Sequence, residues 1–318
     1  LAQEEPELLP FFDGSDYGPQ PIADGELSAA GGQVPNWLQG KFGALIDEEE
    51  QQALFERAPL HVRWHDPNGG EASISDIWPE AEPLALLNSY ALPAGTRVED
   101  HPLYREGKVE IQDLGSQAIV AAAVQSQPRK ILDLCAGAGG KTLGMAALLP
   151  ENSQFIAADT DRGRLSRIEP RMRRARTINV ETILLNPERE RDSLAELTGQ
   201  CDLVVVDAPC SGTGTWRRNP ELRWRMTPTR LEQTTLLQQR LMRLGGEMVA
   251  PGGRLLYAVC SLLDEEGGSQ TERFLQNHDG WRHIEVDLPI GRPYRKGVLL
   301  SPYHDGTDGF YFTCLEKL

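Results

Sequence analysis

Five apolar runs separated by helix-length segments constrain this chain more than any other feature. They occupy residues 131–134, 154–158, 182–185, 203–206 and 254–259. Helices are expected to begin near Lys141, Arg162 and Pro228, and another to span residues 266–277. Strand followed by helix followed by strand requires a crossover, and such units assemble into a parallel sheet covered by helices. The last apolar segment, residues 309–315, has no helix after it and is expected to form an antiparallel edge. Residues 113–318 therefore read as one α/β domain, opening with an Ala-rich apolar helix over residues 116–124.

The chain before it has a different texture. Residues 1–35 are rich in Gly, Pro, Asp and Glu and show no period, which predicts a loop-like, partly disordered lead-in. Residues 36–112 read as a small α+β module. A short helix is expected over residues 36–43. A second follows Asp47, with Glu50 as its capping-box partner. Short strands are expected at residues 60–64, 96–98 and 109–111.

Composition narrows the class. No apolar stretch approaches the roughly 18 residues that a membrane span needs, and the first residues carry no signal-peptide pattern. The five cysteines form no CxxC pair and no Cys/His zinc spacing, so a reducing, cytoplasmic setting without structural metal is expected. Cys201 and Cys314 read as small buried hydrophobes. The formal charge is −15, yet residues 162–230 hold 14 Arg against 9 acidic residues, while residues 1–60 hold 12 acidic against 2 basic. Attraction to phosphate acts over a Debye length of about 8–10 Å, so a basic face can operate on an acidic protein. A solvated helix face is the plainer reading of the arginines in residues 162–176.

The first strand of the sheet enters a glycine turn: Asp133, Leu134, Cys135, Ala136, Gly137, Ala138, Gly139, Gly140, Lys141, Thr142. Such a turn lets backbone approach a ligand closely. Gly140-Lys141-Thr142 matches the end of a phosphate-binding loop, but Cys135 stands where that motif needs glycine. The alternative is a nucleoside-cofactor loop, which calls for an acid near the end of the second strand to hold ribose hydroxyls. Asp159 occupies that place.

Two cysteines end strands of the same sheet. Cys210 follows Asp207-Ala208-Pro209, just past residues 203–206, and Cys260 closes residues 254–259. Carboxyl ends of parallel strands open into the ligand crevice, and thiolate is the most accessible side-chain nucleophile near neutral pH.

Taken together, the segment 133–142, the run Asp207 to Gly214, the run Arg217 to Trp224, Cys260-Ser261 with Asp264-Glu265-Glu266, and Asp308-Gly309-Phe310 resemble the Sun/RsmB-type RNA (cytosine-5) methyltransferases. The resemblance spans residues 36–318 and is weaker before residue 110. It implies a Rossmann-like seven-stranded domain, S-adenosyl-L-methionine as cofactor and an RNA cytosine as substrate. By the family pattern Cys260 is the nucleophile that adds to carbon 6, making carbon 5 able to attack the methyl group. Cys210 assists release, and Asp207 holds the base edge and stabilises developing charge. Cofactor contacts carry over to residues Cys135 through Lys141, to Asp159, to Asp207 and, through Asn186 in place of the usual Asp, to the adenine. Cys135 reads as a loop packing residue. The chain departs from the family with Gly137-Ala138 for Ala-Pro and Val259 for Thr, neither of which removes a reacting atom.

A target base must leave its stack to reach such a thiol. Arg217 and Arg218 are placed to hold flanking phosphates, and Trp216 and Trp224 either stack on bases or pack internally. The resemblance favours small-subunit (16S) ribosomal RNA, then transfer RNA, and a monomer is expected. Two other readings are open. A DNA cytosine-5 methyltransferase would use the Pro-Cys thiol, but the Glu-Asn-Val segment of that class is missing from the sequence. A cofactor-binding RNA assembly factor without turnover would have no need of both thiols.

Overall fold

The computed structural model describes residues 34–65, 74–176 and 180–318, with positions 10, 12, 14, 15 and 21. The expected lead-in of residues 1–35 falls almost wholly outside them. Residues 1–39 and 40–318 form two compact units, and the second carries the fold described below. The helix expected over residues 36–43 is a 3-10 helix, Asn36–Lys41.

A small sheet is built on Leu60–Trp64 (β1), with Glu82–Pro83 (β2), Ser89–Leu92 (β3) and Val109–Ile111 (β4), in the order β2-β3-β1-β4, all antiparallel. Its apolar face gathers Val62, Leu92, Val98 and Val109. The strand expected at residues 96–98 is not one. Thr96 N–H closes a turn onto the Pro93 carbonyl, Gly95 takes φ 91°, and Val98 starts a 3-10 turn, Val98–Asp100. Val98 still reaches the core, so its apolarity signalled burial rather than strand.

The large sheet holds Lys130–Asp133 (β5), Gln154–Asp159 (β6), Val180–Leu184 (β7), Cys201–Asp207 (β8) and Val249–Val259 (β9), in the parallel order β7-β6-β5-β8-β9. Residues 203–206 and 255–259 are completely buried, the mark of central strands covered on both faces. The chain winds outward from β5 through β6 and β7, then crosses back to β8. The carboxyl ends of β5 and β8 therefore flank the switch point where ligands bind in open α/β sheets.

Trp281–Ile284 (β10), Arg292–Tyr294 (β11), Gly297–Leu300 (β12) and Phe310–Lys317 (β13) complete nine strands. β13 is antiparallel to β9, with Tyr311 opposite Val259 and Leu315 opposite Leu255. It is not the edge that the sequence suggested. β10 pairs with residues 314–317 of its far margin and β12 with residues 310–312. β5 to β10 with β13 make the expected seven. The β11–β12 hairpin adds two more, because β10 leaves the first half of that margin unpaired.

Helices arise from local signals. Thr227 caps Pro228–Met248 through its hydroxyl, and Pro228 occupies the first turn. The expected helix from Arg162 is two pieces, Arg162–Leu165 and Ile168–Ala175. No described helix is long and apolar enough to cross a membrane.

Asp47 does cap Glu48–Ala53, accepting from Glu50 N–H at 3.0 Å. Glu50 does not reciprocate as a capping box. Its buried carboxylate takes the Arg292 guanidinium and the Ser301 hydroxyl, the latter at 2.8 Å. Glu50→Ala strands that guanidinium against the sheet. We expect a loss of about 3 kcal/mol in urea unfolding, with Glu50→Gln losing less because it still accepts from Ser301.

Candidate active site

β8 and β9 run parallel, with Asp207 level with Ala258. The Ala208 N–H still bonds the Ala258 carbonyl at 2.9 Å as the strands end. The chains then diverge into two loops that carry the cysteines. Cys210 Sγ and Cys260 Sγ lie 3.2 Å apart, although 50 residues separate them in sequence.

Backbone contacts hold the loops in register. Gly214 N–H donates to the Cys260 carbonyl at 3.1 Å, and Gly309 N–H donates to the Gly214 carbonyl at 2.7 Å. A Cβ on Gly214 would stand 1.9 Å from the Gly309 carbonyl oxygen, so this crossing admits no side chain. Thr213 Oγ1 accepts from Leu262 N–H at 2.9 Å.

Both thiols line a cleft of about 530 Å³ at the carboxyl ends of the strands, together with Cys135, Asp159, Asp207 and Leu222. That size suits a small-molecule site. Lys141, on the helix Gly140–Ala146, lies outside the lining and meets it at Asp207, its Nζ 2.6 Å from Asp207 Oδ2 and 5.6 Å from the Phe310 ring centre. Burial opposes the lysine charge, but Asp207, Cys260 and Asp133 more than offset it and hold its pKa above the ordinary value. The Cys210 thiol is pushed well up, first by its hydrogen bond with Cys260 and then by burial. Cys135 is also pushed well up, by burial and by Asp133, Asp207 and Asp159.

The glycine turn is wound as the sequence suggested. Gly137 and Gly139 have φ of 55° and 82°, a region that favours glycine. Gly137 N–H donates to Asp159 Oδ2 at 2.7 Å, and Asp161 N–H to Oδ1 at 2.8 Å. Each carboxylate oxygen keeps a second lone pair, and Asp159 faces the cleft. An acceptor beside a tight glycine turn fits the ribose of a nucleoside cofactor. Of the predicted loop contacts Cys135 lines the cleft, while Ala136, Gly137, Ala138, Gly139, Gly140 and Lys141 are not part of its lining. Asn186 is exposed and lies outside the lining, though Leu185 and Pro187 on either side belong to it.

Arg217 and Arg218 are not free for phosphates. The Arg217 side chain is 4% exposed and pairs with Asp308 at 3.3 Å. Arg218 bonds Asp308 at 2.7 Å, Asp113 at 3.3 Å and the Pro59 carbonyl at 3.2 Å. Arg217 is thus buried on an internal anion, while Arg218 is engaged by internal anions yet keeps 35% exposure. Trp216 is buried between Phe42 and Phe55, with ring centres at 6.1 and 6.0 Å, so it packs internally. Trp224 is 52% exposed. Cys201 and Cys314 are buried, and burial pushes each thiol up to about 11.

Sequence reasoning missed the bidentate pair of Arg240 with Glu190 at the cleft wall, at 2.8 and 2.9 Å. It also missed the part played by Gln238 beneath Cys210. Gln238 Nε2 donates to the Pro209 carbonyl at 2.9 Å from inside an ordinary-looking helix.

The chain is similar to known proteins. Residues 120–316 match the family model described as 16S rRNA methyltransferase RsmB/F. A probable ribosomal RNA small subunit methyltransferase B of Synechocystis sp. is 31% identical over 93% of this chain and 70% of its own length. The methyltransferase B of Erwinia tasmaniensis is 34% identical over 68% of this chain and 48% of its own.

The chain belongs to the RsmB/F family of 16S rRNA methyltransferases.

It spans about half to two thirds of the length of the curated relatives it matches. Among solved structures, NSun6 from Pyrococcus horikoshii with SFG superposes at TM-score 0.74, with 18% identity over 90% of this chain and 98% of that one. A methyltransferase homolog from the same organism superposes at 0.71, with 24% identity over 85% and 90%. These likenesses fix the fold as a Rossmann-like α/β sheet covered by helices, and the cofactor of the RsmB/F family is S-adenosyl-L-methionine.

Two tests follow from the site's charges. Burial holds the Asp133 carboxyl up to about 6, with Asp207 and Asp159 adding and the Thr142 bond opposing. Folded Asp133 thus binds its proton more tightly than the unfolded chain does. Its contribution to stability falls as pH rises from about 4 to 6, by about 3 kcal/mol. Asp133→Asn removes that fall, so thermal midpoints recorded across the window should show wild type losing ground to the variant. Arg217→Ala should cost about 3 kcal/mol in urea unfolding. It should leave the salt dependence of RNA affinity unchanged, whereas losing a phosphate contact would lower that slope by about one.

Proposed function

We propose that the chain methylates carbon 5 of a cytosine in small-subunit ribosomal RNA through a covalent adduct on Cys260. The observation that carries this reading is the pair of sulfurs 3.2 Å apart beside Asp207 and Lys141. Carbon 5 of cytosine is a weak nucleophile, and a thiol adding at carbon 6 makes it enamine-like. One thiol must add, and a second group must then help the adduct collapse.

Either sulfur can donate the bond between them, so their placement toward Lys141 is what sets them apart. Its bond with Cys260 and burial push the Cys210 thiol up, and the family pattern gives it the part of assisting release. Of the three thiols that line the cleft, Cys260 is the one that acts on the Lys141 ammonium. Asp207 is fixed by Lys141 through one oxygen and keeps the other for the amidine edge of a flipped base, where it would stabilise charge as the adduct forms. Asp159 and the turn from Cys135 to Lys141 hold the cofactor, with Asn186 at the rim. When bound, S-adenosyl-L-methionine supplies an electrophilic methyl group to this site. After transfer, a base takes the carbon 5 proton, the freed electron pair re-forms the 5,6 double bond, and the carbon 6–sulfur bond breaks with Cys260 leaving as thiolate, a release that Cys210 assists.

The relatives' printed names favour small-subunit rRNA as substrate. The chain's acidity leaves contact with RNA to local patches around the cleft, where Trp224 and Arg225 are exposed. A transfer RNA substrate is the second choice.

Cys260→Ala should abolish methyl transfer to a small-subunit rRNA transcript. Cys210→Ala should instead accumulate a protein–RNA adduct that survives denaturing electrophoresis. An adduct formed only through Cys210 would reverse the two roles.

A further inference from the structure

Each cysteine is followed in sequence by a serine, and both serines end on one carboxylate. Glu266 is completely buried. Its Oε1 accepts from the Ser211 N–H at 2.8 Å and from Gln238 Nε2 at 3.1 Å. Its Oε2 accepts from the hydroxyls of Ser211 and Ser261, the latter at 2.5 Å. The Glu266 backbone is pinned as well, its carbonyl accepting from the Tyr257 hydroxyl at 2.6 Å. Four donors meet one carboxylate, which uses all the acceptor sites it has when ionised. Burial pushes this carboxyl up, and the bonds from Ser211, Ser261 and Gln238 work against that. A buried charge is tolerated only when so completely bonded.

We propose that Glu266 is a positioning residue for the thiol pair: acting through Ser211 and Ser261, it sets the separation and mutual orientation of the Cys210 and Cys260 sulfurs. Each sulfur belongs to the residue immediately before a serine that Glu266 holds. The backbone tie between the loops, from Gly214 N–H to the Cys260 carbonyl, does not involve Glu266. Cutting the carboxylate tie therefore frees the sulfurs to drift while the loops stay joined. A displacement of about 1 Å is enough to cost on the order of a hundredfold in a reaction that needs both groups. The consequence for turnover rests on the covalent chemistry proposed above, but the geometric claim does not.

Diamide measures the geometry without RNA. It takes two electrons and two protons from the thiols and becomes a hydrazine, while the two sulfurs lose their hydrogens and form one S–S bond. The rate of forming the Cys210–Cys260 bond, followed by peptide mass spectrometry, is compared in wild type, Glu266→Gln and Ser261→Ala. Thermal midpoint and cofactor binding serve as controls for folding. We expect cross-linking to slow at least roughly tenfold in Glu266→Gln and roughly threefold in Ser261→Ala. A folded variant of either kind that cross-links at the wild-type rate overturns the proposal, and Ser261→Ala decides alone should Glu266→Gln fail to fold. With a small-subunit rRNA transcript, Glu266→Gln should accumulate adduct, because addition needs one sulfur and release needs both. Adduct and product falling in parallel would overturn the claimed effect on turnover. A wild type that forms no adduct at all would sink the chemical reading and leave the cross-linking result to judge the geometry.

Discussion

The parallel pairing of β8 with β9 is the constraint on which the rest depends. Both strands are apolar throughout their central residues and buried on both faces, so their register is fixed by packing before any polar contact forms. That register brings Asp207 level with Ala258 and releases both loops at the same height above the sheet. Two thiols far apart in sequence then meet. Lys141 arrives from the neighbouring β5 through the glycine turn, and β13 lies against β9 to bring Gly309 and Phe310 underneath. A polar site of this density is possible because the frame around it is hydrophobic and rigid.

Much of this frame was legible in the sequence. The five apolar runs are the five parallel strands, with boundaries displaced by at most five residues. Asp159 and the glycine turn meet in space because a βαβ unit places the end of its second strand beside the first loop. What the sequence concealed was partnership. Nothing local distinguishes Arg217 and Arg218, which look like phosphate ligands, from arginines consumed by Asp308 and Asp113 some 90 and 105 residues away. Glu50 looked like a local cap and instead reaches residue 292. β10, β11 and β12 went unseen because short half-buried strands such as Trp281–Ile284 carry little periodicity.

The relation of charge to function also changed between sequence and structure. The central arginines suggested a basic face, yet several are neutralised in place. Arg171 and Arg174 meet Glu110, and Arg240 meets Glu190. Much of the positive charge in this segment therefore ties elements together. The acidic remainder of the chain puts a premium on the few cations that stay exposed at the rim.

The network at Asp308 has one more effect. Arg218 spans from Asp308, at the foot of β13, to Asp113 and the Pro59 carbonyl, while His61 on β1 touches Asp113 at 3.2 Å. The small amino-terminal sheet is thereby wired to the segment just past Cys210. Excising that sheet would spare every reacting atom, yet it would remove the anchor that keeps the loop still. In this chain the accessory sheet and the loop after Cys210 are joined through one polar network centred on Arg218.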